Sequence, residues 1–147
     1  MFSESAKRLR LTSTSSMADL KKPFESLKSL NVYLKSPTHM PIFQYLVNQA
    51  TNLEILHFDQ FLCDYNESLI NRSLFEWSSL EKLKELQIGH GSKLSIVTVN
   101  VIIANCGQLA KLGRLDQWGQ VSRQQIKSIR KEIQARNFDL CIEAGDF

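Results

Sequence analysis

The sequence predicts an α/β solenoid: a curved parallel sheet with helices on its convex side, built from about five repeats. Three observations predict it. The pattern Leu-x-x-Leu-x-apolar recurs, segments of helical periodicity separate its copies, and the copies carry Lys, Glu, His and Gln between their leucines. A doubly wound α/β domain would need near-continuous apolar strands and a glycine-rich first turn. The nearest imitation of a phosphate loop, Gly89-His90-Gly91-Ser92-Lys93, lacks the glycine separation of a P-loop.

The copies read Leu27-x-x-Leu30-x-Val32, Leu53-x-x-Leu56-x-Phe58 and Leu83-x-x-Leu86-x-Ile88. A fourth begins Leu109-x-x-Leu112, with Arg114 at its sixth place and Leu115 just after. A fifth, degenerate copy is Ala135-x-x-Phe138-x-Leu140. The starts at 27, 53, 83, 109 and 135 are spaced by 26, 30, 26 and 26 residues. A weaker copy, Ala6-x-x-Leu9-x-Leu11, precedes them. Alternate residues of a strand point to opposite faces, so the fourth and sixth positions enter the core while the fifth and seventh face outward. One such strand cannot bury its apolar face alone, so the copies must stack.

Between the strands, Pro41–Ala50 follows a turn at Ser36-Pro37-Thr38 and places Ile42, Tyr45, Leu46 and Gln49 at helical spacing. Glu67–Ser79 repeats the arrangement with Leu69, Ile70, Leu74 and Trp77. Leu94–Ala104 is rich in β-branched residues, but its period (Ile96, Val99, Ile102, Ile103) and its place in the repeat predict a helix. Ser122–Arg136 is the clearest helix, with Ser122 as N-cap, Gln125 as its capping-box partner, and Ile126, Ile129 and Ile133 as the buried stripe. A short helix over Met17–Ser26 is expected, curtailed by Pro23. Residues 1–16 read as a flexible segment or the remnant of an earlier repeat, and 17–147 as the repeat domain.

With 43% hydrophobic residues the chain can fill a core, and its net charge of +3 gives no support to nucleic-acid binding. The basic residues of 123–136 surround Glu132 and read as a solvated helix face. No secretory signal or membrane-spanning run is visible, and three scattered cysteines (Cys63, Cys106, Cys141) argue against a disulfide framework. A cytoplasmic or nuclear location is therefore expected, and the sequons at Asn66 and Asn71 read as coincidence.

In this register the residues resemble leucine-rich repeats of the longer, cysteine-containing type found in F-box proteins. Cys106-Gly107-Gln108-Leu109-Ala110-Lys111-Leu112-Gly113 looks like that family's repeat start, and Ala50-x-x-Leu53 is its alanine counterpart. The closing segment, from Leu112-Gly113-Arg114-Leu115-Asp116-x-Trp118 to Asn137-Phe138-Asp139-Leu140, is similar to the last repeat of arthropod F-box and leucine-rich-repeat proteins. The family's asparagine at the ninth position is replaced by Lys35, Phe61, Gly91 and Gln117, a departure from the residue that makes the usual turn ladder. Too few residues precede the first clear copy to hold an F-box. The resemblance thus implies substrate recognition in a ubiquitin-ligase receptor, with a cullin adaptor engaged only through an F-box encoded upstream.

The expected partner is a protein, with no nucleic acid and no membrane. The expected binding surface is the outward face: Asn31 and Tyr33, His57 and Asp59, Gln87 and Gly89, Gly113 and Leu115, and finally Asp139 and Cys141. Tyr33 is the candidate anchor, since aromatic residues concentrate binding energy; Asn31, His57, Asp59, Gln87 and Asp139 supply polar contacts. His39, His57 and His90 lie too far apart for metal-ligand spacing, and no catalytic motif occurs, so no metal, cofactor or catalytic residue is expected. Cys106 reads as a small buried filler and Trp118 as core. An alternative expectation is a structural repeat protein that self-assembles through an open N-terminal edge, at Leu30 and Val32.

Overall fold

The computed structural model describes residues 6–11, 27–34, 39–59, 70–72 and 80–145. Within them the elements run β1 (Ala6–Leu11), β2 (Ser29–Leu34), α1 (Met40–Gln49), β3 (Ile55–Asp59), β4 (Glu85–Gly89), α2 (Ile96–Asn105), β5 (Lys111–Gly113), α3 (Arg123–Ala135) and β6 (Cys141–Ile142). Single 3-10 turns cover Leu80–Lys82 and Leu115–Gln117. The six strands form one parallel sheet in which every strand lies beside its neighbours in the chain. The order never reverses, as it would in a doubly wound sheet.

The pairing register aligns the motif. Leu30, Leu56, Leu86 and Leu112 stand in one row, and Val32, Phe58 and Ile88 in the next, every one of them buried. Burying a leucine completely stabilises by about 1.5–3 kcal/mol, so each row of leucines favours the register that makes it. The strand entries repeat as well. Lys28 O accepts from the N–H groups of Glu54 (2.8 Å) and Ile55 (2.9 Å), Glu54 O from Lys84 (2.7 Å) and Glu85 (3.0 Å), and Lys84 O from Ala110 (2.7 Å) and Lys111 (3.0 Å).

The last copy departs from the expected register. Leu112 pairs with Ile142, not with Phe138, so the fifth repeat starts at Asp139 rather than 135. Phe138 is instead 48% exposed. It follows α3 in a closing turn: Asn137 is left-handed (φ 55), Asn137 N–H donates to Gln134 O (3.2 Å), and Phe138 N–H to Ile133 O (3.1 Å). That is the double hydrogen bond of a Schellman cap, whose apolar residue after the turn packs back on the helix. Phe138 therefore imitates the repeat leucine while serving the helix end. In the weak first copy Leu9 pairs with Val32, and Lys7 stands opposite Leu30, a shift of two from the expected alignment. Because β1 pairs along all of β2, Leu30 and Val32 lie inside the sheet rather than at an open edge.

The helices bring their apolar faces to one core shared with the inward rows. In α1 the buried side chains are Met40, Ile42, Phe43, Leu46 and Val47. Tyr45 and Gln49, expected in that stripe, are only half-buried. The Phe43 ring lies 4.9 Å from that of Phe58 on β3 and fixes helix against sheet. Of the segment 67–79, residues 70–72 are helical and Ile70 is buried, whereas Leu69, Leu74 and Trp77 lie outside the described residues. The expected helix over Met17–Ser26 and Cys63 also lie outside them. In α2 repeat position overrides β-branched propensity. Ser95 caps it by accepting from Val97 N–H (3.1 Å), and Thr98, Val99 and Ile102 are buried. In α3 the capping box forms as expected: Gln125 N–H donates to Ser122 Oγ (3.1 Å) and Ser122 N–H to Gln125 Oε1 (2.9 Å). Ile126, Ile129 and Ile133 are buried, while Arg123, Lys127, Arg130 and Lys131 are exposed. Trp118 is core, with its indole N–H donating to Ile88 O (2.8 Å).

Candidate functional site

The outward face of β2 to β6 is polar, and its side chains sort into rows by register. The third positions are Ser29, Ile55, Glu85, Lys111 and Cys141; the fifth are Asn31, His57, Gln87 and Gly113. Extending the β5–β6 pairing by one residue brings Glu143, not Asp139, to the fifth row, and Glu143 N–H donates to Leu112 O (2.8 Å). Asp139 is exposed but precedes β6, at the level where earlier copies place their first leucine. It is not on the outward face, because the repeat begins four residues later than its Phe138 suggests.

Near the strand entries Glu85 is the hub of an ion-pair row. Its Oε1 lies 3.2 Å from Lys111 Nζ and 3.2 Å from Gln87 Nε2, while Lys111 Nζ also reaches Glu143 Oε2 at 3.0 Å. Hydrogen bonds to Glu143 and to Glu85, with the attraction of both charges, hold the Lys111 ammonium above the ordinary lysine range. His57 Nε2 stands 3.6 Å from Glu85 Oε1, beyond hydrogen-bond reach, so a charged contact forms there only with a protonated ring. Gln87 lies across Gly113, where a Cβ would meet its Cγ at 2.8 Å. Below this row, Lys84 binds Glu54 at 2.9 Å and lowers the Glu54 carboxyl from its ordinary value.

At the opposite, C-terminal ends of β3, β4 and β5 lies a second cluster of different character. Asp59, expected to face solvent, is only 6% exposed. Two residues cover it. His90 Nδ1 lies 2.6 Å from Asp59 Oδ1, and Arg114 Nη1 lies 3.4 Å from Oδ2. An ionised carboxylate only accepts, so with Asp59 in that form the first contact runs from Nδ1–H to Oδ1. Both covering residues follow directly on a strand, and both are left-handed, with φ of 56 at His90 and 67 at Arg114. Gly89, beside Asp59 in the register, leaves the room: a Cβ there would lie 2.8 Å from both Asp59 Oδ2 and Arg114 Nη1. Leu115, expected to face outward, is buried instead, because the chain turns into a 3-10 helix after Arg114. One turn further on, Gln117 Oε1 accepts from His90 N–H (3.0 Å). A side-chain amide thus ties the residue after β4 to the 3-10 turn that follows β5.

The structure brings Asn31, His57 and Gln87 into one row and sets Tyr33 beside Asp59. It removes Asp139 from the face and makes Asp59 an anchor rather than an exposed contact. The sequence reading missed Glu85, Lys111, Glu143, His90 and Arg114. Aligning third positions across copies would have shown Glu85 beside Lys111; no local signal announces Arg114.

Cys106 is a buried filler whose thiol is pushed up to about 12 by burial. Cys141 is exposed. Among the described residues no group of His, Cys, Asp and Glu could hold a metal ion, and no helix is long and apolar enough to cross a membrane. No family model, curated protein or solved structure matches the chain.

Proposed function

We propose that the chain is a leucine-rich-repeat solenoid that acts as a protein-interaction module, binding a partner across the outward face of its sheet, and not as a catalyst. The observation that carries this reading is the row alignment: strands in sequence order stack like positions of the motif, with leucines inward and variable polar residues outward. Such a face can change its side chains without disturbing the core, which is what an interaction surface needs. Asn31, Tyr33 and His57 form its central patch, beside the ion-pair row. The half-buried Tyr33 is its aromatic anchor.

The test is an affinity capture in which wild type is compared with an Asn31→Ala/Tyr33→Ala/His57→Ala variant and with a Lys127→Ala/Lys131→Ala variant on the solvated face of α3. All three must first give the same circular dichroism spectrum. The reading expects a protein retained by wild type and by the α3 variant and lost by the sheet variant. Loss confined to the α3 variant, or equal retention by all three, would place binding elsewhere.

A further inference from the structure

We infer that Arg114 is an oxyanion-binding residue of the outward face, held in position by Asp59 and His90, and that it takes a carboxylate or phosphate ester carried by a peptide segment of the partner. This inference rests on the proposal that the outward face binds a protein.

Four observations carry it. Among the described residues the Arg114 guanidinium makes one hydrogen bond, to Asp59 Oδ2, at 3.4 Å. Charge-assisted bonds of this type normally close to about 2.7–2.9 Å, so a planar fork of five donors is anchored at one corner and little used. The side chain remains 34% exposed, so its other donors are within reach of a ligand. The anchor is itself buried: Asp59 is oriented by His90 Nδ1 at 2.6 Å and cannot swing out to neutralise the guanidinium more fully. Finally, Arg114 and His90 both hold left-handed backbone, which in a residue with a Cβ is strained and persists mainly where the surroundings or a function require it. Glycine at 89 completes the arrangement, since a side chain there would displace both the carboxylate and the guanidinium.

The chemistry follows from the fork. A guanidinium presents two parallel N–H donors at the spacing of two oxygens of a carboxylate or a phosphate. With Asp59 already counterbalancing its charge, the site selects by geometry rather than by long-range attraction, which suits an anion delivered by a peptide that also contacts the face.

The test is an NMR titration of the full chain that follows the Arg114 Nε–H and the His90 and Asn31 amides. Three probes are used: an acetylated Gly-Glu-Glu-Gly peptide, its counterpart with phosphoserine in place of one glutamate, and the neutral Gly-Gln-Gln-Gly peptide. Arg114→Gln removes the charge, and Arg114→Gly removes it while relieving the left-handed backbone; amide spectra that match wild type away from the cluster confirm the fold of each variant before titration. We expect saturable shifts at Arg114 and His90 with one or both anionic peptides, none with the neutral one, and binding about tenfold or more weaker in both variants. The tighter anionic peptide identifies the oxyanion. Absence of a response at Arg114 with either, or equal responses in the variants, overturns the inference. A response at Asn31 that survives in the variants would do so while leaving the outward face as the binding surface.

Discussion

Two ionic clusters share one face of the sheet and are built on opposite terms. The row at the strand entries (Glu85, Lys111, Glu143, with His57 and Gln87 beside it) sits on regular strands, uses half-exposed side chains and pairs nearly every charge. The cluster at the strand exits buries one carboxylate under two cations or donors whose backbones are left-handed. The first arrangement is what a parallel register produces when opposite charges fall in one row, and it costs the fold little. The second works against the local preferences of its own residues. Conformational strain of this sort amounts to about 1–3 kcal/mol per residue. If the proposed binding face is right, the contrast marks the strand exits as the place where binding, rather than folding, sets the residues.

Substitutions can break the comparison at several depths. The largest effect is expected beneath both clusters: Leu86→Ala, in the buried row that carries them, should cost about 2–5 kcal/mol in denaturant unfolding. Asp59→Ala should cost about 1–3 kcal/mol, because it removes the acceptor of two charge-assisted contacts. A loss as small as that of a surface change would mean that the exit cluster is merely decorative. Glu85→Gln, by contrast, should cost less than about 1 kcal/mol, since exposed pairs contribute little. Gln87→Ala, one residue from Leu86 on the other face, should cost less than about 0.5 kcal/mol. Equal melting-temperature losses for Leu86→Ala and Gln87→Ala would contradict the register outright.

The pH dependence of stability separates the regions further. Lys111 is raised in the folded chain, so its contribution is complete below the unfolded value of 10.5 and is lost as pH rises through the higher folded value. Glu54 is lowered, so its contribution is present above 4.5 and is lost as pH falls through the lower folded value. A Lys111→Gln variant should therefore lose part of the alkaline decline seen in wild-type unfolding curves and keep the acid decline.

Much of this architecture is legible in the sequence, and the failures are physical. The strands of the clear copies could be placed because leucines at fixed spacing must share a row. The α3 helix announces itself through Ser122, Gln125 and three isoleucines. The last repeat was misplaced because Phe138 supplies an apolar residue at the right interval, although Asn137 just before it is a signal for a left-handed helix end. With Ile142 as the repeat residue, the starts fall at 27, 53, 83, 109 and 139, and spacings of 26 and 30 alternate. The exit cluster was beyond reach for a different reason. Asp59 looks like any outward strand residue until His90 and Arg114, 31 and 55 positions away, are folded over it. The left-handed backbone of Arg114 has no signature in residue type, and that of His90 only a weak one, since histidine is among the residues enriched there.

The most direct measurement is the urea unfolding free energy of Arg114→Gly against wild type. Glycine adopts the left-handed region at no steric cost, and the contact it forfeits is long and half-exposed. If the cluster is built for binding at the expense of folding, the variant will be as stable as wild type or more so. If Arg114 is instead a structural clamp on Asp59, the variant will be less stable by more than about 1 kcal/mol, and the contrast between the two clusters will not hold.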